Sequence, residues 1–276
     1  LIGCWFSATR EWARSIGGDA FFAVKYTHRQ VQPDDIQVGN SVSCGIHSRM
    51  FDRFGLQDFF SWNATRKFLK RLDGIKPDII HCHVVNDCFL HIGLFCDYVN
   101  KHNIKVVWTF HDARVLTGMC PCPAYCECDQ WKTHCRYCNI EHKFLYPAKP
   151  IMNLVSVVHR YRKHTIGRIE NLVIATPSKW MAGMVAQSYL KDKRCEVINN
   201  GINLDLFHPT ANKVRSKYGI PPEAKMLLCI GNPIWRLKGR DYLHRLVDEL
   251  PERYFMVMVG CIQRDVEKYE RHNRVL

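Results

Sequence analysis

Two apolar runs of the chain end in residues that could bind sugar hydroxyls or phosphates, or transfer protons. One run carries His81 and His83, and the next ends in His111 and Asp112. The functional residues of an open α/β sheet lie at the carboxyl ends of its strands. An imidazole placed there can donate hydrogen bonds or act as an acid or base. The alternative is a polar residue with only local partners; we favour that alternative for His81 and His83, and the functional role for His111.

A second candidate is the turn of residues 231–239, Gly-Asn-Pro-Ile-Trp-Arg-Leu-Lys-Gly. It follows a predicted strand and precedes a predicted helix, so backbone N–H groups and the positive end of the helix would face a ligand. Arg236 and Lys238 add positive charge, and together these groups suit a diphosphate. The alternative is a basic surface turn. The turn matches neither the Gly-x-Gly-x-x-Gly of NAD-binding proteins nor a phosphate loop ending in Gly-Lys-Ser/Thr, which argues against both classes.

The cysteines are unevenly distributed, because six of the 14 lie between residues 120 and 138. These six are Cys120, Cys122, Cys126, Cys128, Cys135 and Cys138. Clustered thiolates are typical of tetrahedral zinc, and the Cys135-x-x-Cys138 spacing suits half of such a site. The other half is ambiguous among the first four cysteines, and an iron–sulfur cluster or disulfides in an oxidising compartment are the alternatives. Zinc held by four thiolates would be structural, because no coordination position remains for water.

Short Val- and Ile-rich runs predict the strands that position these residues. The predicted strands are Ala20–Tyr26, Asp78–Val85, Ile104–His111, Leu172–Thr176, Glu196–Asn199, Met226–Gly231 and Tyr254–Gly260. The runs are nearly continuous rather than alternating, as in strands that are buried on both faces of a parallel sheet. Helical segments between them supply the crossovers, so the predicted fold class is α/β.

The stretch between residues 46 and 72 is basic and aromatic. Its apolar residues are spaced by three and four, which predicts amphipathic helix with a break at Gly55. Such a stripe is most often the face of a helix that packs on the core. The alternative, favoured by the charge, is docking on an anionic membrane surface.

A domain boundary is predicted near residue 205, where Asn199-Asn200-Gly201 indicates a turn and Pro209 follows. The predicted domains are residues 1–205, with a Cys-rich insertion at about 118–140, and residues 206–276. The second has only two predicted strands, and we expect its apolar runs at 226–230 and 254–259 to be exposed. The chain starts without Met and stops in mid-pattern, so we expect an internal fragment of a larger protein.

Composition narrows the classes of function. The chain has 39 Lys and Arg against 26 Asp and Glu, a formal net charge of +13, which suits an anionic partner. Its 47% hydrophobic and 24% charged residues argue against a disordered tail, a collagen-like repeat or a coiled coil. No apolar run approaches the roughly 18 residues of a membrane-spanning helix, and the first residues do not resemble a signal peptide. We therefore predict a cytoplasmic location, with peripheral contact at the inner face of a membrane as an extension of that prediction.

Six stretches of the sequence are weak signals one by one, but together they resemble one family. They are Lys76–His83, Val106–Asp112, Asp129–Cys135, Thr176–Trp180, Val197–Asn203 and Lys238–Gly239. In this order they resemble the GT-B-fold glycosyltransferases of family 4, and especially the bacterial branch that builds surface polysaccharides. The resemblance implies two Rossmann-like domains that face a cleft, with the second one truncated here.

The resemblance also implies a reaction and its residues. A retaining transfer would move a sugar from a nucleotide-sugar donor to a glycan or lipid-linked acceptor, with no metal at the reaction centre. The residues implied are His111 and Asp112 for catalysis, His83 on the acceptor side, and Arg236, Lys238, Gly239, Asn200 and Gly201 for the donor. The branch tends to carry four cysteines that match Cys120, Cys128, Cys135 and Cys138, which favours those four for a structural zinc.

The chain also departs from the family pattern. The first strand with its glycine loop and most of the donor domain are expected to be missing, and Val84 stands where relatives often have Asn. Two other hypotheses are a zinc-bearing nucleic-acid-binding module and a catalytically inactive GT-B scaffold. Nucleic acid is the weaker partner hypothesis, because the basic residues are dispersed and no recognised nucleic-acid motif is present.

Overall fold

The structure is a computed structural model with two compact units, Leu1–Asn203 and Leu204–Leu276. It describes the whole chain except residues 1, 4–14, 16–18, 27–30, 32, 34, 86–87, 139–149, 231–238, 261–266, 268, 270–271, 273–274 and 276.

Within the described residues, the first unit contains a sheet of seven parallel strands. The strands are β1 Ile2–Gly3, β2 Ala23–Lys25, β3 Ile36–Val38, β4 Ile79–His83, β5 Lys105–Thr109, β6 Leu172–Thr176 and β7 Arg194–Val197. Their order in the sheet is β3-β2-β1-β4-β5-β6-β7, so the direction of chain progression reverses between β1 and β4. Ligands of open α/β sheets bind outside the carboxyl ends of the strands at such a reversal.

The five strands predicted for this unit are confirmed, with ends that shift by a few residues. Two further strands were missed, Ile2–Gly3 and Ile36–Val38. The expectation that the first strand is missing was wrong, because Ile2 pairs with Ala23 on one side and with Cys82 on the other. A strand of two or three residues has no hydrophobic period to detect, so only its pairing with neighbours reveals it.

Helices connect the strands as crossovers. In the first unit they are α1 Ser41–Phe54, α2 Trp62–Ile75, α3 Ile92–Lys101, α4 Val155–Thr165 and α5 Lys179–Ala186. The side chain of Asn40 accepts a hydrogen bond from the Ser43 N–H and so caps the start of α1. Gly55 ends α1 with φ of 69°, a left-handed conformation that favours glycine. The break predicted at Gly55 is therefore confirmed.

The apolar side chains of the sheet and helices form the core of the first unit. Val106 and Trp108 of β5 are buried, as are Ile80 and Cys82 of β4. On α2 Phe68, Leu69 and Leu72 are buried, with Phe68 2% exposed, which confirms the core-face interpretation for this part of the stripe, whereas Trp62 at the start of the helix is exposed. Its basic residues lie on the opposite, exposed face.

A charged pair also lies inside this core. Arg162 of α4 is 1% exposed and bonds both carboxylate oxygens of Asp58, in the connection between α1 and α2. Gln57 accepts a further hydrogen bond from the same guanidinium. A buried ion pair is tolerated when its remaining hydrogen-bonding groups are also satisfied.

The second unit is smaller. Its elements include α6 Val214–Lys217, β8 Lys225–Ile230, α7 Arg240–Asp248 and β9 Tyr254–Val259. The two strands are parallel, and a small core forms around Val247, Leu250, Met256 and Tyr269. The predicted exposure is confirmed for Met226, Leu228 and Ile230, whereas Met256 in β9 is fully buried.

No helix among the described residues is long and apolar enough to cross a membrane.

Candidate functional site

Imidazoles from two neighbouring strands meet at the carboxyl edge of the sheet, and we call His81, His83 and His111 the histidine cluster. His81 and His83 are two residues apart in β4, so they lie on the same face of the strand. In the parallel pairing, His83 is opposite Thr109, and the chain reaches His111 two residues later. The register of β4 and β5 therefore brings together residues that are far apart in sequence.

Short contacts link the rings. Nδ1 of His83 lies 3.0 Å from Nε2 of His111, and the two rings are stacked. The ring centroids of His81 and His83 are 4.2 Å apart. Nε2 of His81 is 2.8 Å from the Thr109 hydroxyl. His83 is buried and His111 is exposed, so His111 is the member of the cluster that faces solvent.

Burial keeps these imidazoles neutral. It lowers the pKa of His83 to about 3, with the neighbouring His81 and His111 as further causes, and it lowers the pKa of His81 to about 4. Burial also lowers the pKa of His111, while Asp112 opposes that shift. A neutral imidazole has one donor and one acceptor nitrogen. In the His83–His111 contact one ring must donate and the other accept, which leaves the second nitrogen of His111 for a ligand.

Asp112 has a local structural role in this structure. One carboxylate oxygen accepts a hydrogen bond from the Arg114 N–H at 2.8 Å, and the other lies 3.6 Å from the Arg114 side chain. The carboxylate thus supports the short turn that follows His111. Its catalytic assignment stays a prediction.

A short turn, Arg114–Leu116, follows His111. Side chains from distant parts of the chain form hydrogen bonds to its backbone, and the sequence did not indicate them. Arg162 donates to the carbonyl oxygens of Arg114 and Thr117, the second at 2.9 Å. The Tyr189 hydroxyl donates to the Val115 carbonyl at 2.7 Å. These donors come from elements 48 and 74 residues away, so no local pattern could have indicated them.

The residue after the histidine strand has an unusual backbone. Val84 has φ of 43°, in the left-handed region that β-branched residues disfavour. Asn tolerates this conformation better than a β-branched residue. Backbone strain of this kind concentrates at functional sites.

The residues assigned to the donor are distributed over both units. Asn200 and Gly201 are exposed in the segment that follows β7. Gly239 precedes α7 in the second unit and has φ of 77°. Arg236 and Lys238 lie outside the described residues. The donor assignments stay predictions.

The Cys-rich segment surrounds a second feature, which we call the cysteine cavity. This cavity has a volume of about 420 Å³. Among the described residues, the cysteines that line it are Cys120, Cys126, Cys128, Cys135 and Cys138. Gly118, Trp131 and Val155 contribute to its walls, whereas Cys122 is not part of the lining. The structure thus brings together all four of the cysteines that the family resemblance implied.

In the part of the chain that the structure describes, no disulfide bond joins these cysteines. Burial raises the pKa of Cys135 to about 11, and a hydrogen bond from the Gly118 N–H opposes that shift. As the side chains stand, no three His, Cys, Asp or Glu residues within the described parts of the chain are arranged to hold a metal ion. The zinc interpretation of the cluster therefore stays a prediction.

Comparison with known proteins identifies the family. The profile of Glycosyltransferase Family 4 matches residues 22–206, well over half of the chain. The chain belongs to glycosyltransferase family 4. The histidine cluster lies within the matched region, so it is part of the family domain. This membership favours the glycosyltransferase interpretation over the nucleic-acid-binding module.

Individual relatives agree with this family 4 assignment. The chain is 28% identical over 162 residues to "Putative colanic acid biosynthesis glycosyl transferase WcaC" of Escherichia coli (strain K12). That match covers 56% of this chain and 38% of the relative. Sucrose-phosphate synthase from Thermosynechococcus elongatus has a similar structure, with a TM-score of 0.55 at 14% identity, over 96% of this chain and 61% of that one. The parallel sheets and this likeness confirm the predicted α/β fold class of GT-B type. The chain thus spans less than two thirds of the length of each of these relatives.

Proposed function

We propose that this family 4 chain is part of an enzyme that transfers a sugar from a nucleotide-sugar donor to a glycan or lipid-linked acceptor, with retention of configuration, during surface polysaccharide biosynthesis. The observation that carries the proposal is the histidine cluster at the carboxyl edge of β4 and β5, inside the region that matches the family. The relative whose name refers to colanic acid biosynthesis supports the polysaccharide context.

The cluster is better suited to hydrogen bonding with a sugar than to acid–base catalysis. His111 is exposed and neutral, so its second ring nitrogen is free to form one hydrogen bond to a hydroxyl group. His83 fixes the orientation of the His111 ring through the 3.0 Å contact. A positioned donor or acceptor of this kind lowers the barrier when its bond strengthens as charge develops on the sugar.

The donor diphosphate requires cationic groups. In this proposal Lys238 and Arg236 stabilise the negative charge that the diphosphate gains as the glycosidic bond breaks. Asn200, Gly201 and Gly239 are the other residues that this proposal assigns to donor binding. The family resemblance of the Lys238–Gly239 stretch supports these roles.

Exposed basic and apolar side chains on α1 and α2 support contact with an anionic membrane that carries a lipid-linked acceptor. On α1 the exposed residues Val42, Ile46, Arg49 and Arg53 recur at helical spacing. On α2 the guanidinium of Arg66 lies 3.7 Å from the ring of the exposed Trp62. Apolar and basic side chains that share a face are typical of interfacial helices. We propose a cytoplasmic protein that binds the membrane peripherally through the exposed sides of these helices. Sedimentation with phosphatidylglycerol vesicles, but not with phosphatidylcholine vesicles, and its loss in Arg49→Glu/Arg53→Glu would support that placement; equal binding to both would contradict it.

The test of the proposed reaction uses the full-length protein, because the chain spans only part of its relatives. A panel of nucleotide-sugar donors is incubated with lipid-linked and free glycan acceptors, and release of nucleoside diphosphate is measured. We expect one donor to give acceptor-dependent release. His111→Ala should then lower kcat/KM by about 100-fold, because a contact that strengthens in the transition state is lost.

A matched control distinguishes the effect of losing His111 from the general effect of replacing a histidine. His102 lies at the end of α3, next to Asp73 and Tyr98 and outside the cluster. His102→Ala should leave turnover near the wild-type value. Full turnover in His111→Ala, or hydrolysis of donors without any dependence on acceptor, would contradict the proposed function.

A further inference from the structure

The backbone that directly follows the exposed His111 is buried and irregular. Ala113 and Leu116 are fully buried in this segment. A buried carbonyl oxygen costs free energy unless a donor reaches it. The carbonyl oxygens that receive side-chain donors from distant parts of the chain are those of Arg114, Val115 and Thr117. The shape of the chain after His111 therefore depends on these donors.

Arg162 of α4 uses its whole guanidinium group in this arrangement. A guanidinium carries five N–H donors in a rigid, planar fork. Three of them reach Gln57 and the two carboxylate oxygens of Asp58. The other two, both on one nitrogen, donate to the carbonyl oxygens of Arg114 and Thr117. The buried ion pair thus orients the guanidinium, and the guanidinium in turn fixes the backbone after His111.

Tyr189, in the segment after α5, supplies the other donor. Its hydroxyl donates to the Val115 carbonyl at 2.7 Å. The Tyr189 ring packs edge-on against the buried His159 of α4, with centroids 5.7 Å apart and an interplanar angle of 87°. Burial raises the pKa of Tyr189, while the nearby Arg162 opposes that shift. The hydroxyl therefore stays protonated and keeps its role as a donor.

The backbone is fixed on both sides of His111. On the strand side, the Phe110 N–H donates to the Ala175 carbonyl of β6 at 2.9 Å. On the turn side, the Asp112 carboxylate accepts from the Arg114 N–H at 2.8 Å, which connects His111 to the turn that Arg162 binds. The exposed imidazole therefore projects from a segment with little freedom to move.

We propose that Arg162 and Tyr189 are positioning residues that set the direction of the His111 ring through the turn Arg114–Leu116. The inference rests on the proposed function for its effect on the reaction, in which His111 forms a hydrogen bond to the sugar. Arg162 is 1% exposed and its N–H groups all have acceptors inside the protein, so it acts through His111 rather than on a substrate. A displacement of about 1 Å at such a group can lower the rate by about 100-fold.

The first experiment needs no turnover. Full-length protein is labelled with ¹³C-histidine, and the His111 ring signal is assigned by its absence in His111→Gln. Tyr189→Phe should shift this signal and raise the pKa of His111, because burial is the main cause that lowers it and a loosened turn gives the ring more water. His83 and Asp112, the other groups that interact with this ring, remain in both proteins. An unchanged His111 signal and pKa in Tyr189→Phe would overturn the proposal.

The matched control is Tyr98→Phe. The Tyr98 hydroxyl also donates a hydrogen bond, to the Asp73 carboxylate at 2.9 Å, but on the exposed side of α2 and α3. Tyr98→Phe should leave the His111 signal and turnover at their wild-type values. An equal change in both tyrosine variants would also overturn the proposal, because the effect would then be a general one of losing a hydroxyl.

Kinetics of the full-length protein separate positioning from simple loss of structure. Tyr189→Phe should lower kcat about tenfold and leave the KM for the donor and the melting temperature nearly unchanged, since only one hydroxyl is removed and the His111 contact is misplaced rather than lost. A wild-type kcat in Tyr189→Phe, or a fall in kcat matched by an equal loss of folded protein, would overturn the proposal.

Arg162→Lys gives a second measurement with a larger expected effect. Lysine keeps the positive charge beside Asp58 but has three donors instead of five, so it cannot bond Asp58, Gln57 and both turn carbonyls together. We expect a fall in kcat of about 100-fold and the same direction of change in the His111 signal as in Tyr189→Phe. If the wild type turns over no donor at all, the proposed function fails, and the His111 signal still decides whether Arg162 and Tyr189 position this ring.

Discussion

The histidine cluster and the cysteine cavity follow each other along the chain, yet different interactions position their side chains. Strand register positions the histidines, because β4 and β5 are paired along their whole length and carry His81 and His83 on one face. Among the residues that the structure describes, the lining of the cavity includes no strand residue, and the segment is built from the 3₁₀ turns Pro123–Cys126 and Gln130–Lys132 and from side-chain bonds to backbone. Backbone pairing therefore places the histidines, whereas hydrogen bonds from side chains to backbone shape the loop around the cavity.

The largest expected effect comes from the side chain that links the two regions. Arg162 binds the turn after His111 and the buried Asp58. Arg162→Met should lower the free energy of unfolding by about 3–5 kcal/mol, because it leaves the Asp58 carboxylate buried without a partner. Urea denaturation of the full-length protein measures the loss. Asp58→Leu/Arg162→Met should recover part of it, and a single-variant loss below about 0.5 kcal/mol would show that Asp58 is not dependent on this arginine.

A smaller effect is expected on the cavity side alone. A Cβ on Gly118 would lie 2.4 Å from the Val155 carbonyl oxygen, and backbone at the start of α4 cannot move aside cheaply. Gly118→Ala should therefore cost about 1–3 kcal/mol. Gly183→Ala is the control, because nothing lies within 4 Å of its Cβ, and a helix gains up to about 1 kcal/mol from this change. Thermal denaturation compares the two; equal melting temperatures would contradict the close approach.

Acid should weaken both regions through their buried imidazoles. The pKa of His83 is lowered to about 3 and that of His159, beside the cavity, to about 4, both mainly by burial. The unfolded chain therefore binds more protons below pH 6.5, so this stability is complete above that pH and is lost as the pH falls toward 4. Each group contributes at most about 1.4 kcal/mol per pH unit.

Denaturation midpoints between pH 7.5 and 5 measure this dependence. His83→Gln and His159→Gln should each flatten the curve. If only one variant flattens the curve, burial lowers the histidine pKa in one region and not in the other. A curve that is flat in the wild type would contradict neutral, buried imidazoles in both.

The smallest effect concerns the strained residue at the end of the histidine strand. Val84→Asn should raise the free energy of unfolding by about 1 kcal/mol, because Asn tolerates the left-handed conformation that costs Val about 1–2 kcal/mol. Differential scanning calorimetry of the two proteins checks the gain. A melting temperature that falls in Val84→Asn would mean that the methyl groups of Val84 contribute more than its backbone costs.

Much of the fold was predictable because its strands are continuous apolar runs. β6 was predicted with its observed bounds, Leu172–Thr176, and Gly55 marked the end of α1 correctly. The short strands β1 and β3 were missed, because two or three residues carry no period and gain their structure only by pairing. The histidines were chosen as strand-end residues, but the contact between His83 and His111 requires the register of two strands.

Residue types and spacing by themselves determined the class of the fold, the positions of most strands and the presence of many thiols in one loop. These properties are local, since each depends on the apolar period or on neighbours a few residues away. Only the tertiary structure decided that β1 lies between β2 and β4, that Cys126 lines the cavity and Cys122 does not, and that Arg162 holds the turn after His111. Each of these joins residues that are distant in sequence, and the free energy that selects such a contact exists only once the sheet and α4 have packed together.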